Sequence, residues 1–255
     1  MKILEGKKGL IIGVANNRSI AWGIAQAARN HGADLAFTYL NEALEKRVIP
    51  LAESVGSSLV LPCDVQKDED IDSVFSRLQD EWGQLDFVVH SVAYAQAEDL
   101  KDRFSQTSRA GFSLALDISA YSLVAVAQRA RHLMPRGGSI ITLSYLGARQ
   151  VVPHYRLMGV AKAALEACVR ELSVDLGEDG IRVNAVSAGP IRTLAASGIA
   201  DFRQLVNAFE VRAPLKTLVT IEDVGESSVY LLSDMSKAVT GEIHYVDCGF
   251  NVTTA

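Results

Sequence analysis

Tyr145, Tyr155 and Lys162 are the residues of this chain best suited to proton chemistry at a developing negative charge. They lie in the stretch SYLGARQVVPHYRLMGVAK, from Ser144 to Lys162. A phenol donates a hydrogen bond to an oxygen as charge builds on it, and a nearby ammonium favours ionisable behaviour in that hydroxyl. The spacing is the informative part. Tyr155 stands seven residues before Lys162, Tyr145 a further ten back, and position 158, four before the lysine, is Met.

A helix running from Tyr155 to Leu176 is the element expected to position them. Steps of about 100° put Tyr155 within roughly 20° of Lys162 and Met158 roughly 40° away, so the three share a face. Side chains lean toward the helix N-terminus, which brings Lys162 toward both. The chemistry depends on where the charged oxygen sits. When hydride lands on a carbonyl carbon, the donor must stand beside that carbon's own oxygen. When it lands on a C=C conjugated with a carbonyl, charge collects on an oxygen roughly 2–3 Å further away. A hydroxyl moved back by one turn, about 5 Å along the axis, moves toward that distant oxygen. The spacing therefore points to reduction of a conjugated double bond. Tyr155 is the expected donor, Tyr145 lines the pocket just past a strand end, and Met158 packs beside the reacting chain. Carbonyl reduction, which needs a hydroxyl at position 158, is the competing reading. A catalytically silent, cofactor-binding paralogue is a third.

The hydride source is legible at the first strand–helix turn. In GLIIGVANNRSIAWGIAQA, Gly13 ends a strand and a helix begins near Ser19. The plain GxGxxG pattern is absent, since Ser19 and Ala21 stand where glycines are usual. Gly13 still permits close backbone approach, small residues leave a pyrophosphate room to reach the helix N-terminus, and the Ser19 hydroxyl can donate to phosphate. Other strand ends offer small or polar residues in matching places: Asp64-Val65, Ser91-Val92-Ala93 and Pro190-Ile191-Arg192-Thr193. Asp64 suits an adenine amine, Ser91 the passage of a ribose, and Thr193 a phosphate or carboxamide. Lys162 is expected on the nicotinamide ribose hydroxyls. The second strand ends in FTYLNEALEKR, with no arginine immediately after it to pair with a 2′-phosphate. NADH is the expected cofactor, NADPH the alternative, with Arg47 a phosphate partner if its helix turns it inward.

These strand ends belong to a repeating pattern. Apolar runs at 9–14, 34–40, 58–65, 85–94, 139–146, 181–189 and 242–249 alternate with helical segments at 19–31, 68–82, 113–134 and 155–176. Near-continuous Val/Ile/Leu runs suit strands buried on both faces. The expectation is a single-domain, Rossmann-type doubly wound parallel sheet of about seven strands with helices on both faces, spanning residues 1–255. The irregular segment 189–220 leaves a strand's carboxyl end and is placed to act as a substrate lid.

Composition narrows the function further. With 255 residues and a net charge of −5, the chain is large enough for a sizeable core and poorly matched to nucleic acid or anionic lipid. No run reaches 18 apolar residues, and no signal peptide is legible, so a cytoplasmic protein with no membrane role is expected. Three cysteines without a CxxC pair, and five scattered histidines, give no metal-ligand pattern.

The segments GVANNRSIAWGIA, TLSYLGA and RVNAVSAGPIRTLAASGI, with the Tyr-x6-Lys spacing, resemble the enoyl-acyl-carrier-protein reductases of the short-chain dehydrogenase/reductase superfamily. The resemblance runs from about Leu4 to Phe250. It implies reduction of trans-2-enoyl thioesters by NADH or NADPH in the last step of the type II fatty acid elongation cycle, with acyl carrier protein or CoA as carrier. It also implies a homotetramer. Gly13, Ser19, Ile20, Asp64, Val65, Ser91, Lys162, Ile191 and Thr193 would contact the cofactor. Ala93, Tyr145, Tyr155, Met158, Ala195, Ile199 and Phe202 would line the substrate site, and 194–209 would be the lid. Several residues depart from the family's usual ones. PHYRLMG replaces PNYNVMG, so His154 and Arg156 flank Tyr155; Tyr94 brings a hydroxyl toward the pocket; and Cys248 replaces a glycine.

Overall fold

In the computed structural model, residues 2–101, 103–194 and 202–253 are described. The apolar runs become seven parallel strands: β1 (Lys8–Ile12), β2 (Asp34–Tyr39), β3 (Val60–Pro62), β4 (Phe87–His90), β5 (Gly138–Ser144), β6 (Ile181–Ala188) and β7 (Ile243–Val246). They lie in the order β3-β2-β1-β4-β5-β6-β7. The order in which strands are added reverses between β1 and β4, and such a switch opens a crevice at the carboxyl ends of the strands.

Alternation along each strand explains the layers. Leu10, Val88 and Ile140 pack into one core, while their neighbours Ile11, Val89 and Ile141 pack into the other. The helices are α1 (Ile20–Asn30), α2 (Glu42–Ser54), α3 (Asp68–Trp82), α4 (Ala97–Lys101), α5 (Arg109–Leu116), α6 (Ser122–Leu133), α7 (Leu157–Asp175), α8 (Phe202–Arg212) and α9 (Ile221–Leu232). The first core receives α3, α6 and α7 through residues such as Val74, Leu78, Val126, Leu165 and Val169; the second receives α1 and α9 through Ile24, Ala28, Val224 and Leu231. Full burial of each Val, Leu or Ile among these contributes about 1.5–3 kcal/mol, so the crevice rests on a stiff frame.

Local signals set several helix ends. Helix α3 opens with Asp68, Glu69 and Asp70 at the positive end of its dipole and stops at Gly83, whose φ is 66°. Thr220 and Asp223 form a reciprocal capping box at the start of α9. Helices α5 and α6 are joined by a π turn over Asp117–Tyr121. By length and composition the continuous helix Arg109–Leu133 would pass for a membrane span, but Leu123, Val126 and Ala130 face the first core.

The strands are shorter than the apolar runs that mark them, and two helix starts differ from the sequence expectation by two residues or more. The long helix begins at Arg109, not near Ser113, because Ser108 accepts from the Gly111 N–H as an N-cap. The lysine's helix begins at Leu157, not Tyr155, because Arg156 has φ 46° and ψ −118°, which no helix accommodates.

Candidate active site

The carboxyl end of β5 and the start of α7 bring the expected reduction residues together. Tyr145 follows β5 in extended conformation, and a short turn over Leu146–Ala148 carries the chain away. Tyr155 is not on α7 but in the turn just before it, where its carbonyl accepts from the Met158 N–H at 3.0 Å. The helical-wheel account of its placement is therefore corrected: the turn carries Tyr155, with His154 at φ 63° and Arg156 at φ 46° on either side. It still reaches the expected neighbours. Tyr155, Met158 and Ala161 form one buried cluster, against which Ala93, Ala95, Leu100, Leu116, Tyr145 and Val152 pack. The Tyr145 and Tyr155 rings meet edge to face, with centroids 4.9 Å apart and planes at 69°. Gly147 makes room for this: a Cβ there would lie 2.4 Å from Tyr155 Cδ1. Tyr94, in contrast, is half exposed and outside the cluster.

Lys162 is 6 % exposed, and its Nζ donates to the Leu143 carbonyl at 2.6 Å, two residues before Tyr145. Burial lowers its pKa to about 8, against a smaller upward pull from Glu166. The tyrosines move the other way. Burial pushes the Tyr145 phenol up to about 12, and burial with Tyr145 alongside pushes Tyr155 up as well. Both are protonated at neutral pH, as hydrogen-bond donors to an oxyanion must be. Glu166, on α7 one turn beyond the lysine, accepts from Ser144 Oγ at 2.7 Å and lies 3.5 Å from Arg149 Nε.

A buried polar seam ties this end to the centre of the sheet. His90, the last residue of β4, has Nδ1 2.9 Å from Thr142 Oγ1 and Nε2 2.8 Å from Ser122 Oγ. Ser122 donates to the Ile118 carbonyl at 2.6 Å, so the His90 proton is best assigned to Nε2. Full burial, then the charge on Lys162, drives the His90 pKa down to about 3 and keeps the ring neutral. Ser119, in the π turn, accepts from Tyr94 N–H at 2.9 Å and donates to the Tyr94 carbonyl at 3.1 Å. The π turn thus holds the loop after β4, whose alanines line the tyrosine cluster.

The remaining expected residues gather along the same edge. Gly13 has φ 104°, and a Cβ would fall 2.0 Å from the Ser91 carbonyl oxygen. Ser19 caps α1, and its Oγ accepts from Ala15 and Asn16 N–H at 3.0 and 3.2 Å, which leaves its own proton to donate elsewhere. No acidic residue stands in the first turn of α1, beside Ile20. That glycine cradle under an acid-free helix N-terminus fits a dinucleotide diphosphate. Asp64 accepts from Gln66 N–H after β3, beside Val65, and Ile191 and Thr193 follow β6. Arg47 is exposed on α2 rather than turned inward, and Leu40 at the end of β2 is 54 % exposed. Ala195 and Ile199 lie outside the described residues; Phe202 opens α8, with its side chain outside the description, and only parts of the expected 194–209 lid are described. Among the described residues no group of three His, Cys, Asp or Glu could hold a metal.

Sequence reasoning missed Gly147, Glu166 and the seam of His90, Thr142, Ser119 and Ser122. The signal for Glu166 was present: a carboxylate four residues after Lys162 on the sheet-facing side of an apolar helix. The seam left no local pattern, because its members come from four separate elements.

The chain matches the family described as Enoyl-(Acyl carrier protein) reductase over residues 13–251. It is 57 % identical over 249 residues to the NADH-dependent enoyl-acyl-carrier-protein reductase 1 of Rhizobium meliloti, covering 98 % of this chain and 92 % of that one. Over its full length it superposes, with a TM-score of 0.98 and 50 % identity, on the whole of a Bacillus cereus enoyl-acyl carrier protein reductase chain crystallised with NADP+ and an indole naphthyridinone. An Anaplasma phagocytophilum reductase in complex with NAD gives 0.96 at 53 % identity, covering 99 % of this chain and 97 % of that one.

Proposed function

The chain belongs to the enoyl-acyl-carrier-protein reductase family, and from that premise we propose how its own residues reduce the C=C of a trans-2-enoyl thioester. The observation that carries the reading is the Tyr145–Tyr155 edge-to-face pair beside Met158, a site with phenols before α7 and no hydroxyl on its first turn.

NADH, when bound, supplies the hydride. Gly13, Ser19 and Ile20 would receive its diphosphate, Asp64, Val65 and Ser91 its adenosine half, and Ile191 and Thr193 its nicotinamide end. Lys162 would hold the nicotinamide ribose hydroxyls with the ammonium protons not given to Leu143. Tyr155 donates to the thioester carbonyl oxygen, and its raised pKa keeps the phenol protonated while charge accumulates there. Tyr145 backs that ring, and Met158, Ala161 and Ala93 give the acyl chain a dry wall. Ala195, Ile199 and Phe202 would complete the substrate pocket from the 194–209 segment.

The thioester carrier is acyl carrier protein in this reading, in the last step of fatty acid elongation, with CoA thioesters as surrogates. The working form is a cytoplasmic homotetramer. Three free cysteines suit a reducing compartment, and Val174 on α7 and Tyr121 at the π turn are apolar side chains left exposed on one subunit. Light scattering on the purified protein tests the assembly.

One assay tests the reaction. NADH and NADPH oxidation is followed with crotonyl-CoA, a longer enoyl thioester and a 3-ketoacyl thioester. Turnover of the enoyl substrates alone is expected; turnover of the keto substrate alone would sink the reading. Tyr155→Phe should lower enoyl turnover about 100-fold, as loss of one oxyanion donor does, with NADH affinity kept.

A further inference from the structure

Glu166 is 4 % exposed on a helix face that otherwise carries Ala161, Leu165 and Val169 into the core. It stands one turn past Lys162, the spacing at which two helical side chains share a face. The pair grips two successive residues at the end of β5. Lys162 Nζ donates to the Leu143 carbonyl at 2.6 Å, and Ser144 Oγ donates to Glu166 Oε1 at 2.7 Å. The next residue is Tyr145, whose ring meets Tyr155.

The Ser144 bond does not by itself require a charge, since a glutamine oxygen would accept it equally. A buried carboxylate loses much of its solvation unless a nearby cation offsets the loss. Arg149 lies 3.5 Å from the outer oxygen of Glu166 on the half-exposed side, and Lys162, one turn back on the same helix and almost fully buried, is the cation on its dry side. We propose that Glu166 is a positioning residue for the reduction: it clasps the end of β5, and so Tyr145, to α7, and its negative charge keeps the Lys162 ammonium charged in a dry site.

The surroundings leave that electrostatic role to Glu166. His90 on β4 is neutral near pH 7, with a pKa of about 3. The Tyr145 and Tyr155 phenols are held protonated by burial. Arg149, half exposed, lies on the far oxygen of Glu166 and over the Tyr245 ring on β7, where Glu242 and Asp247 are also near. Among the described residues Glu166 is the one carboxylate acting on Lys162, and it raises the lysine pKa against the larger effect of burial.

The inference rests on Lys162 as the cofactor lysine, so binding is measured apart from turnover, by NADH fluorescence between pH 6 and 10. Wild-type affinity should weaken as pH rises through about 8, where Lys162 loses its proton. In Glu166→Gln, which keeps the shape and the acceptor, the midpoint should move to lower pH by about half a unit or more, as loss of a neighbouring opposite charge requires. Glu166→Asp should restore it toward the wild-type value. An unmoved midpoint in folded Glu166→Gln, whatever its Tm, overturns the charge role. Ser144→Ala removes only the clasp: kcat should fall several-fold with the midpoint unmoved, and an unchanged kcat overturns the positioning role. If Glu166→Gln does not fold, Ser144→Ala decides the positioning role, and a wild-type NADH affinity that stays flat through about pH 8 overturns the charge role. Lys162→Met separates the two layers. If it binds NADH as tightly as wild type, the reading of Lys162 fails; if it binds weakly and Glu166→Gln leaves the midpoint in place, only the inference about Glu166 fails.

Discussion

The β1–α1 turn and the segment between β5 and α7 face each other across the same crevice, yet they are shaped by different means. In the first, the unusual backbone falls on Gly13, whose φ of 104° carries no Cβ penalty. Ser19 then gathers two backbone N–H groups only three and four residues away. In the second, the unusual backbone falls on His154 and Arg156, which carry Cβ atoms at φ 63° and 46°. Histidine visits the left-handed region more readily than most residues; arginine at ψ −118° has no such excuse, and such outliers cost on the order of 1–3 kcal/mol. That conformation persists because packing over-determines it: Tyr155 is wedged between Tyr145, Gly147, Met158 and Ala161. A turn on glycine can be built largely by local contacts, whereas a phenol placed off its helix needs the rest of the fold to hold it.

The contrast can be broken most forcefully at the two glycines. Gly13→Ala drives a Cβ into the Ser91 carbonyl and should weaken NADH binding 100-fold or more, about 2.7 kcal/mol, or prevent folding. Wild-type affinity in this variant would show that the turn does not depend on glycine at position 13. Gly147→Ala strikes the other region, where the new Cβ meets Tyr155. Turnover should fall about 100-fold through misplacement of the phenol, with NADH affinity within about twofold. Equal losses of turnover and NADH affinity would mean that the two regions are not separable.

His90 links the regions through β4, and acid should expose it. Between pH 6.5 and about 3 the unfolded chain binds a proton that the folded ring refuses. Its contribution to stability is therefore complete above pH 6.5 and is lost progressively as pH falls toward about 3, with a slope of at most about 1.4 kcal/mol per pH unit. Urea unfolding at pH 7, 5.5 and 4.5 should show a shallower acid loss in His90→Gln than in wild type. Parallel losses would place the acid sensitivity elsewhere.

The smallest effect is the most diagnostic. Arg156→Gly and His154→Asn offer residues suited to positive φ and should each stabilise the protein by about 0.5–1 kcal/mol, raising Tm by a few degrees. If Tm rises and turnover holds, the strain is a by-product of packing. If Tm rises and turnover falls, the flanking residues help to aim Tyr155. A lower Tm would contradict the account of strain.

Much of this was legible in the residues. Strand runs such as GLIIGV and SIITLSYL announced a parallel sheet because both faces of each strand are buried, and Gly13 and Ser19 marked the candidate cofactor turn through residue type and short-range spacing. Tyr155 does meet Tyr145 and Met158, but the expectation placed it on a helix that does not reach it. The wheel argument assumed ordinary backbone through Arg156, and no local rule predicts an arginine at φ 46°.

By itself, then, the sequence determined the parallel α/β frame, the candidate cofactor turn at Gly13 and the candidate set of Tyr145, Tyr155, Lys162 and Met158. Each follows from residue type and short-range spacing. Only the tertiary structure decided where α7 starts, how Tyr155 meets Tyr145 across Gly147, and that Glu166, Ser144, His90 and Ser122 support the site from buried positions. Those features arise where contacts between residues distant in the chain outweigh the preferences of the backbone they act on, and a linear pattern holds no record of that balance.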